Sequence, residues 1–112
     1  MESWQERVIG RIHKLAEKDE YRVVAEAREG MEALEVDPKT LLLELEVGDL
    51  IERQWWRVMR EWRYHLAREI SGQVGVHLEL VIRRRVVVLA FERYEREGTN
   101  GKGKPGAARP GA

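Results

Sequence analysis

Apolar positions along the chain recur with two different periods. Residues 4–18 and 49–72 carry them at three- and four-residue steps, which is typical of amphipathic helices. Residues 41–47 and 74–82 alternate apolar and polar side chains, which is typical of strands with one buried face. The pattern therefore predicts a mixed domain of the α+β class.

The stretch from Asp49 to Gly72 is predicted to form one long helix against which the other elements pack. Asp49 and Glu52 have the spacing of a capping box, and Gly72 supplies a stop. The predicted core face of this helix carries seven apolar residues, which are Ile51, Trp55, Val58, Met59, Trp62, Leu66 and Ile70. Its other face gathers basic and aromatic residues, which are Arg53, Trp56, Arg57, Arg60 and Tyr64.

Two further helices are predicted before the long one. Ser3 begins a capping box, and the first helix runs from there to about Lys18. Asp19 is the predicted cap of a second, shorter helix, and Gly30 is its predicted stop.

Strands are predicted on both sides of the long helix. Asp37 and Pro38 form a turn that leads into a strand over residues 41–47, and residues 74–82 form another strand. The element order is then α-α-β-α-β. A third strand is predicted from Val86 to about Tyr94, with a short terminal helix as the alternative.

Composition sets limits on the kind of protein. Residues 1–97 are predicted to form one domain, and residues 98–112, rich in Gly, Pro and Ala, a disordered basic tail. The chain has no cysteine, no apolar run long enough to span a membrane and no signal peptide, so a soluble cytoplasmic protein is expected. Formal charge is polarised, with 7 basic and 13 acidic residues before Ile51 and 13 basic and 7 acidic residues from there on.

Catalytic and metal-binding motifs are not apparent in the sequence. The three histidines lie on three different predicted elements, and no nucleophile elbow, phosphate loop or Cys/His pair is present. Surface ion pairs explain the Glu61/His65/Glu69 column better than a metal site does, because arginines lie close by. We therefore expect a non-enzymatic protein without metal or cofactor.

The basic and aromatic helix face allows a structural interpretation and two functional ones. In the structural one, Trp56 packs under the first helix or the tail, and the arginines are merely solvated. Guanidinium groups pair with phosphates or carboxylates, and rings stack on bases or fill a pocket in a partner protein. Trp56 is the residue of this face that we expect at a protein interface. Arg53, Arg57, Arg60 and Tyr64 are the alternative site for weak binding of single-stranded nucleic acid.

Several segments together resemble the N-terminal domain of the bacterial replication initiator DnaA. Trp4-Gln5 resembles the start of that family's first helix, and Asp19-Glu20-Tyr21 resembles its entry to the second. Residues 40–47 resemble its clear strand, and the predicted long helix followed by residues 76–80 resembles its third helix and closing strand. The likeness covers residues 3 to about 82.

The resemblance implies a KH-like two-layer domain without enzymatic activity. In that family the domain self-associates through its first helix and contacts the replicative helicase. By position, Trp4 would then serve a homodimer, while Glu20 and Leu50 would face a replication protein such as a helicase. The chain departs from the family in lacking the ATPase and DNA-binding domains, and it has Gly48-Asp49 where the family often has Pro-Asn. A stand-alone relative is therefore expected.

Overall fold

A computed structural model describes residues 1–95, which form three helices and five strands. The helices are α1 (Trp4–Glu17), α2 (Ala25–Ala33) and α3 (Pro38–Glu44), and a short 3-10 turn covers Val47–Asp49. The strands are β1 (Tyr21–Val23), β2 (Leu50–Trp56), β3 (Glu61–Ser71), β4 (Val74–Ile82) and β5 (Val86–Glu95). The predicted α+β class is confirmed. The predicted tail over residues 98–112 lies outside the described residues.

The five strands form one mixed sheet in the order β1-β5-β4-β3-β2. Strands β2 to β5 are an antiparallel meander, in which each strand pairs with the next. Strand β1 comes from the N-terminal half and pairs with β5 in parallel, with Tyr21 opposite Val86. As a result, β1 and β2 lie at the two opposite edges of the sheet.

One face of the sheet is covered by the helices. Alternate strand residues such as Leu66, Leu78 and Val88 join helix residues such as Ile12 and Leu42 in a single buried cluster. The other sheet face carries no helix within the described residues, and its polar residues include Arg63 and Glu79, whose side chains form an ion pair at 2.9 Å. The domain therefore has two layers.

The predicted long helix from Asp49 to Gly72 is wrong, because this stretch forms β2, a four-residue turn and β3. Because side chains alternate between the two faces of a strand, the residues of the predicted core face no longer lie together on one side. Of its seven residues only Leu66 is fully buried, and four are exposed, namely Ile51, Trp55, Val58 and Met59. Gly72 does not end a helix but lies in the β3–β4 turn at φ 55°.

The predicted strand over residues 41–47 is also wrong, since residues 38–44 form α3. Asp37 caps this helix by accepting a hydrogen bond from the backbone N–H of Thr40 at 2.9 Å, and Pro38 occupies its first turn. Leu41, Leu42 and Leu45 are the leucines that it buries. Their spacing suits a helix packed on α1.

Other predicted elements are confirmed in whole or in part. The first helix has its capping box at Ser3, and strands occupy residues 74–82 and 86–95. The predicted second helix begins later than expected, because residues 21–23 form β1, and it continues through Gly30. The observed order is α-β-α-α-β-β-β-β, which differs from the α-α-β-α-β order on which the DnaA resemblance rested.

Candidate binding groove

A groove of about 450 Å³ opens between the start of α1 and the β2–β3 hairpin. Two kinds of side chain dominate its lining. The rings are Trp4, Trp55, Trp62 and Tyr64, and the guanidinium groups are Arg7, Arg11, Arg53 and Arg60. Three of the four tryptophans in the chain thus line this one feature. We call it the arginine-tryptophan groove.

The strand register brings the rings together. Residues directly opposite each other on paired strands point to the same face, and here Trp55 lies opposite Trp62 while Arg53 lies opposite Tyr64. The rings of Trp55 and Trp62 meet edge to face at 5.1 Å between centroids, and Trp4 stacks on Tyr64 at 6.3 Å. Such aromatic pairs hold the wall of the groove in one arrangement.

Arg53 lies between two of these rings. Its guanidinium carbon is 4.2 Å from the ring centroid of Trp4 and 4.2 Å from that of Trp62. Guanidinium groups are attracted to the negative face of an indole, and a double contact of this kind limits the rotamers that the side chain adopts. Arg53 therefore joins α1 to the hairpin and fixes a positive charge at the groove.

The groove arginines keep their charge largely uncompensated. Arg7 donates a hydrogen bond to the carbonyl oxygen of Glu2 (3.0 Å), and Arg11 donates one to the carbonyl oxygen of Arg83 (3.1 Å). In the described part of the chain none of the four groove arginines forms an ion pair with a carboxylate. An anion in the groove would find free guanidinium donors.

The one carboxylate that residues 1–95 contribute to the groove is already paired. Glu61 accepts two hydrogen bonds from the guanidinium of Arg83, at 3.0 and 2.9 Å. These bonds hold the pKa of Glu61 below its ordinary value, and burial opposes them only in part. Burial raises the pKa of the Tyr64 hydroxyl, while the nearby charges of Arg53 and Arg11 act in the opposite direction. Tyr64 is therefore a neutral wall of the groove at neutral pH.

The turn at the end of the hairpin presents its last arginine in an uncommon backbone conformation. Arg60 has φ 54°, and its N–H donates to the carbonyl oxygen of Arg57 at 3.2 Å. A left-handed φ is uncommon for residues other than glycine and occurs mostly in turns. Arg60 adopts it because it closes the turn between β2 and β3. Arg60 lines the groove, whereas Arg57 is exposed in the turn.

Four of the eight predicted site residues meet in the groove. Trp4, Arg53, Arg60 and Tyr64 were expected in two different sites, and the structure brings them together. Trp56 lies on the other sheet face, where the guanidinium carbon of Arg63 is 3.9 Å from its ring centroid. Alternation along β2 separates Trp56 from Arg53, although a helical period would have joined them.

The remaining predicted residues lie elsewhere. Leu50 is half-buried at the start of β2 and packs against the core. Glu20 is exposed before β1, at the opposite edge of the sheet. Sequence reasoning missed Arg7 and Arg11, although both follow Trp4 at helical spacing. Trp55 and Trp62 were expected in the core, and in fact they line the groove.

A second feature of the hairpin is a group of exposed apolar side chains, which we call the hairpin patch. It consists of Ile51, Trp55, Trp56, Val58 and Met59, with exposed fractions from 37% for Trp56 to 91% for Val58. Along the same hairpin, one edge of β2 pairs with no strand of residues 1–95. Five large apolar side chains are thus exposed within nine consecutive residues, on both faces of the hairpin, which makes this segment a candidate interaction site.

No group of three or more His, Asp or Glu side chains within residues 1–95 is arranged to hold a metal ion. No helix in that range has the length and apolar character needed to cross a membrane.

The chain matches no protein-family model, and a search of curated proteins finds no similar sequence. The resemblance to the DnaA N-terminal domain therefore stays a prediction.

Proposed function

We propose that this chain is a non-enzymatic protein-interaction module that self-associates through the edge of β2. The observation that supports the proposal is the hairpin patch beside an edge of β2 that pairs with no other strand among the described residues. An edge strand offers backbone N–H and C=O groups to another strand, and exposed apolar side chains next to it add buried area on pairing. Both contributions are concentrated on β2 and the turn that follows it.

The edge of β2 is protected against pairing only in part. Proteins commonly guard such edges with proline, charged residues (lysine above all), a β-bulge or a very short strand. Strand β2, with the sequence LIERQWW, has no proline or lysine, but it carries the charged residues Glu52 and Arg53. Its one irregularity is a shift in register between Leu50 and Glu52. The five residues after that point form a regular edge, which favours pairing with another strand.

A second copy of the chain fits this edge by its charge pattern. In a two-fold antiparallel pair, a residue on the axis faces itself, so an axis at Glu52 or at Arg53 would place like charges opposite each other. An axis at Gln54 avoids this. It places Arg53 opposite Trp55 of the other copy and Glu52 opposite Trp56, so that no two like charges face each other.

Reciprocal charge substitution at the axis tests the proposed dimer. Gln54→Lys places two cations opposite each other and Gln54→Glu places two anions, so each variant should dimerise about 5-fold more weakly, for a cost of about 1 kcal/mol. Mixing the two variants should restore dimers, because the mixed pair is Lys opposite Glu. The measurement is light-scattering mass against protein concentration.

Gln73 provides the matched control, since it is an exposed glutamine in the β3–β4 turn, away from the edge. Gln73→Lys and Gln73→Glu should dimerise like the wild-type chain. A wild-type mass that stays monomeric at all concentrations would reject self-association. A dimer that ignores both Gln54 substitutions would reject the β2 edge as its interface.

A replication protein such as a helicase is the other proposed partner, and it rests on the DnaA resemblance. Glu20 and Leu50 lie at opposite edges of a five-stranded sheet, and these edges are about 19 Å apart at the usual strand spacing. A partner that contacts both residues would have to span the sheet. Trp4 remains a proposed self-association residue, and within the chain its ring stacks on that of Tyr64.

A further inference from the structure

Positive charge is focused at the arginine-tryptophan groove although the whole chain is formally neutral. The chain has 20 basic and 20 acidic residues. Four arginines that have no carboxylate partner within residues 1–95 nevertheless converge on a groove of about 450 Å³, and Arg83 neutralises Glu61, the one carboxylate that these residues place there. Because the net charge of the chain is zero, any attraction of anions must come from this local cluster of arginines and not from the charge of the whole protein.

Aromatic rings accompany the charges at close range. Trp55 lines the groove and keeps 47% of its surface exposed, beside Trp62 and within reach of Arg60 in the adjoining turn. An exposed indole next to free guanidinium groups offers a stacking surface and a phosphate ligand side by side. A ligand that uses the whole groove therefore carries an anionic group and a planar ring close together.

We propose that the arginine-tryptophan groove binds single-stranded nucleic acid, with phosphates on the arginines and a base stacked against Trp55. An acidic peptide would satisfy the guanidinium groups but would leave the exposed indole without a planar partner. A duplex would satisfy them too, but its bases are stacked on each other and cannot reach the ring. Single strands provide both groups in each nucleotide.

The number of arginines sets the expected salt dependence. For single strands the affinity falls with salt with a logarithmic slope of about −0.7 for each neutralised phosphate. Four contacts give a slope of about −2.8, so raising salt from about 50 to about 200 mM should weaken binding roughly 50-fold. The double variant Arg53→Gln/Arg60→Gln should weaken only about 7-fold over the same range, from a lower starting affinity.

The binding experiment uses the full chain and a labelled thymidine oligonucleotide of about ten residues, followed by fluorescence anisotropy. A uridine oligonucleotide of equal length and a glutamate peptide of equal charge are run in parallel. Binding of either oligonucleotide with the stated salt slope supports the proposal. Equal or tighter binding of the glutamate peptide overturns it, and so does failure of both oligonucleotides to bind.

Adjacent tryptophans supply a matched pair for the stacking contact. Trp55 lines the groove and Trp56 lies on the other sheet face, although both belong to the hairpin patch. Trp55→Ala should weaken oligonucleotide binding roughly 5- to 150-fold, the range for losing one base–ring stack, while Trp56→Ala should leave it unchanged. Equal effects of the two substitutions would overturn the groove as the site.

Charge controls come from the far edge of the sheet. Arg22 on β1 and Arg28 on α2 are exposed and carry no ion pair within residues 1–95, so Arg22→Gln/Arg28→Gln removes the same charge at a distance. This control should keep the wild-type salt slope. The groove is built within one chain, and Gln54→Lys monomers should therefore still bind, which keeps this test separate from that of self-association.

Discussion

Two glycines in helices should respond in opposite directions to replacement by alanine. Gly10 lies in α1 and Gly30 in α2, and in a helix interior alanine is more favourable than glycine by about 1 kcal/mol. A Cβ atom on Gly10 would meet nothing within 4 Å. Gly10→Ala should therefore stabilise the domain by up to about 1 kcal/mol.

At Gly30 the same atom has no room. Its Cβ would lie 2.9 Å from Cδ2 of Phe91 and 3.3 Å from the Phe91 carbonyl oxygen. Phe91 is buried under α2 and its backbone is held in β5, so neither atom can move freely. Overpacking of this kind costs about 1–3 kcal/mol, which exceeds the gain in helix propensity. Gly30→Ala should destabilise the domain by up to about 2 kcal/mol.

Thermal unfolding followed by circular dichroism measures both effects. For a domain of about 100 residues, 1 kcal/mol shifts Tm by roughly 4–8 °C. Gly10→Ala should raise Tm and Gly30→Ala should lower it, and Gly30→Ala combined with Phe91→Leu should lose less than the two single substitutions added together. If Gly30→Ala raises Tm as much as Gly10→Ala does, the close approach of α2 to β5 is wrong.

Two further predictions concern the start of α1 and the ion pair beside the groove. Ser3→Ala removes the capping hydrogen bond to the N–H of Glu6 and should cost about 1 kcal/mol, measured as a lower Tm, while Ser3→Asp should retain most of the stability. Because Arg83 holds the pKa of Glu61 below 4.5 in the folded state, their pair stabilises the fold above that pH and loses this contribution as pH falls through the folded pKa. The Tm difference between wild type and Glu61→Gln should therefore shrink below about pH 4.5, and a constant difference would contradict the pairing.

The sequence was sufficient to predict those elements whose signals have one meaning. The Ser3 capping box marks α1, and strict alternation from Val74 to Ile82 marks β4. Asp37 and Pro38 have two meanings, since the same pair suits a turn and the first residues of a helix. The structure uses them as the cap and first turn of α3, and the alternating leucines that follow were misleading.

The β2–β3 hairpin was missed because its turn lacks the usual residues. Hairpin turns are normally recognised by Gly, Asn or Asp, and this one has the sequence Arg57-Val58-Met59-Arg60 with the left-handed position taken by Arg60. Without a visible break, Trp55 and Trp62, which face each other across the hairpin, instead appeared to share one side of a helix. The spacing of apolar residues along one stretch of sequence does not reveal which strands pair with each other.

The candidate site was predictable in its chemistry but not in its arrangement. Arginines and aromatic rings between residues 53 and 64 were predicted to form an interaction surface from their types and from a helical period that the structure does not have. Their partners on α1, Arg7 and Arg11, join them only because the helix packs across the hairpin. Trp56 was grouped with Arg53 by a helical period, and strand alternation places it on the opposite face.

The parallel pairing of β1 with β5 has a consequence for the order of events during folding. Tyr21 and Val86 are 65 positions apart, whereas the β2–β3 turn closes over four residues. Closing the longer loop costs on the order of 2–3 kcal/mol more chain entropy than closing the short one. During synthesis β1 has no partner strand until β5 has left the ribosome. The β2–β3 hairpin can form earlier, because both of its strands precede β5 in the chain. The N-terminal strand β1 can therefore join the sheet only after β5, the last strand of the described chain, has been synthesised.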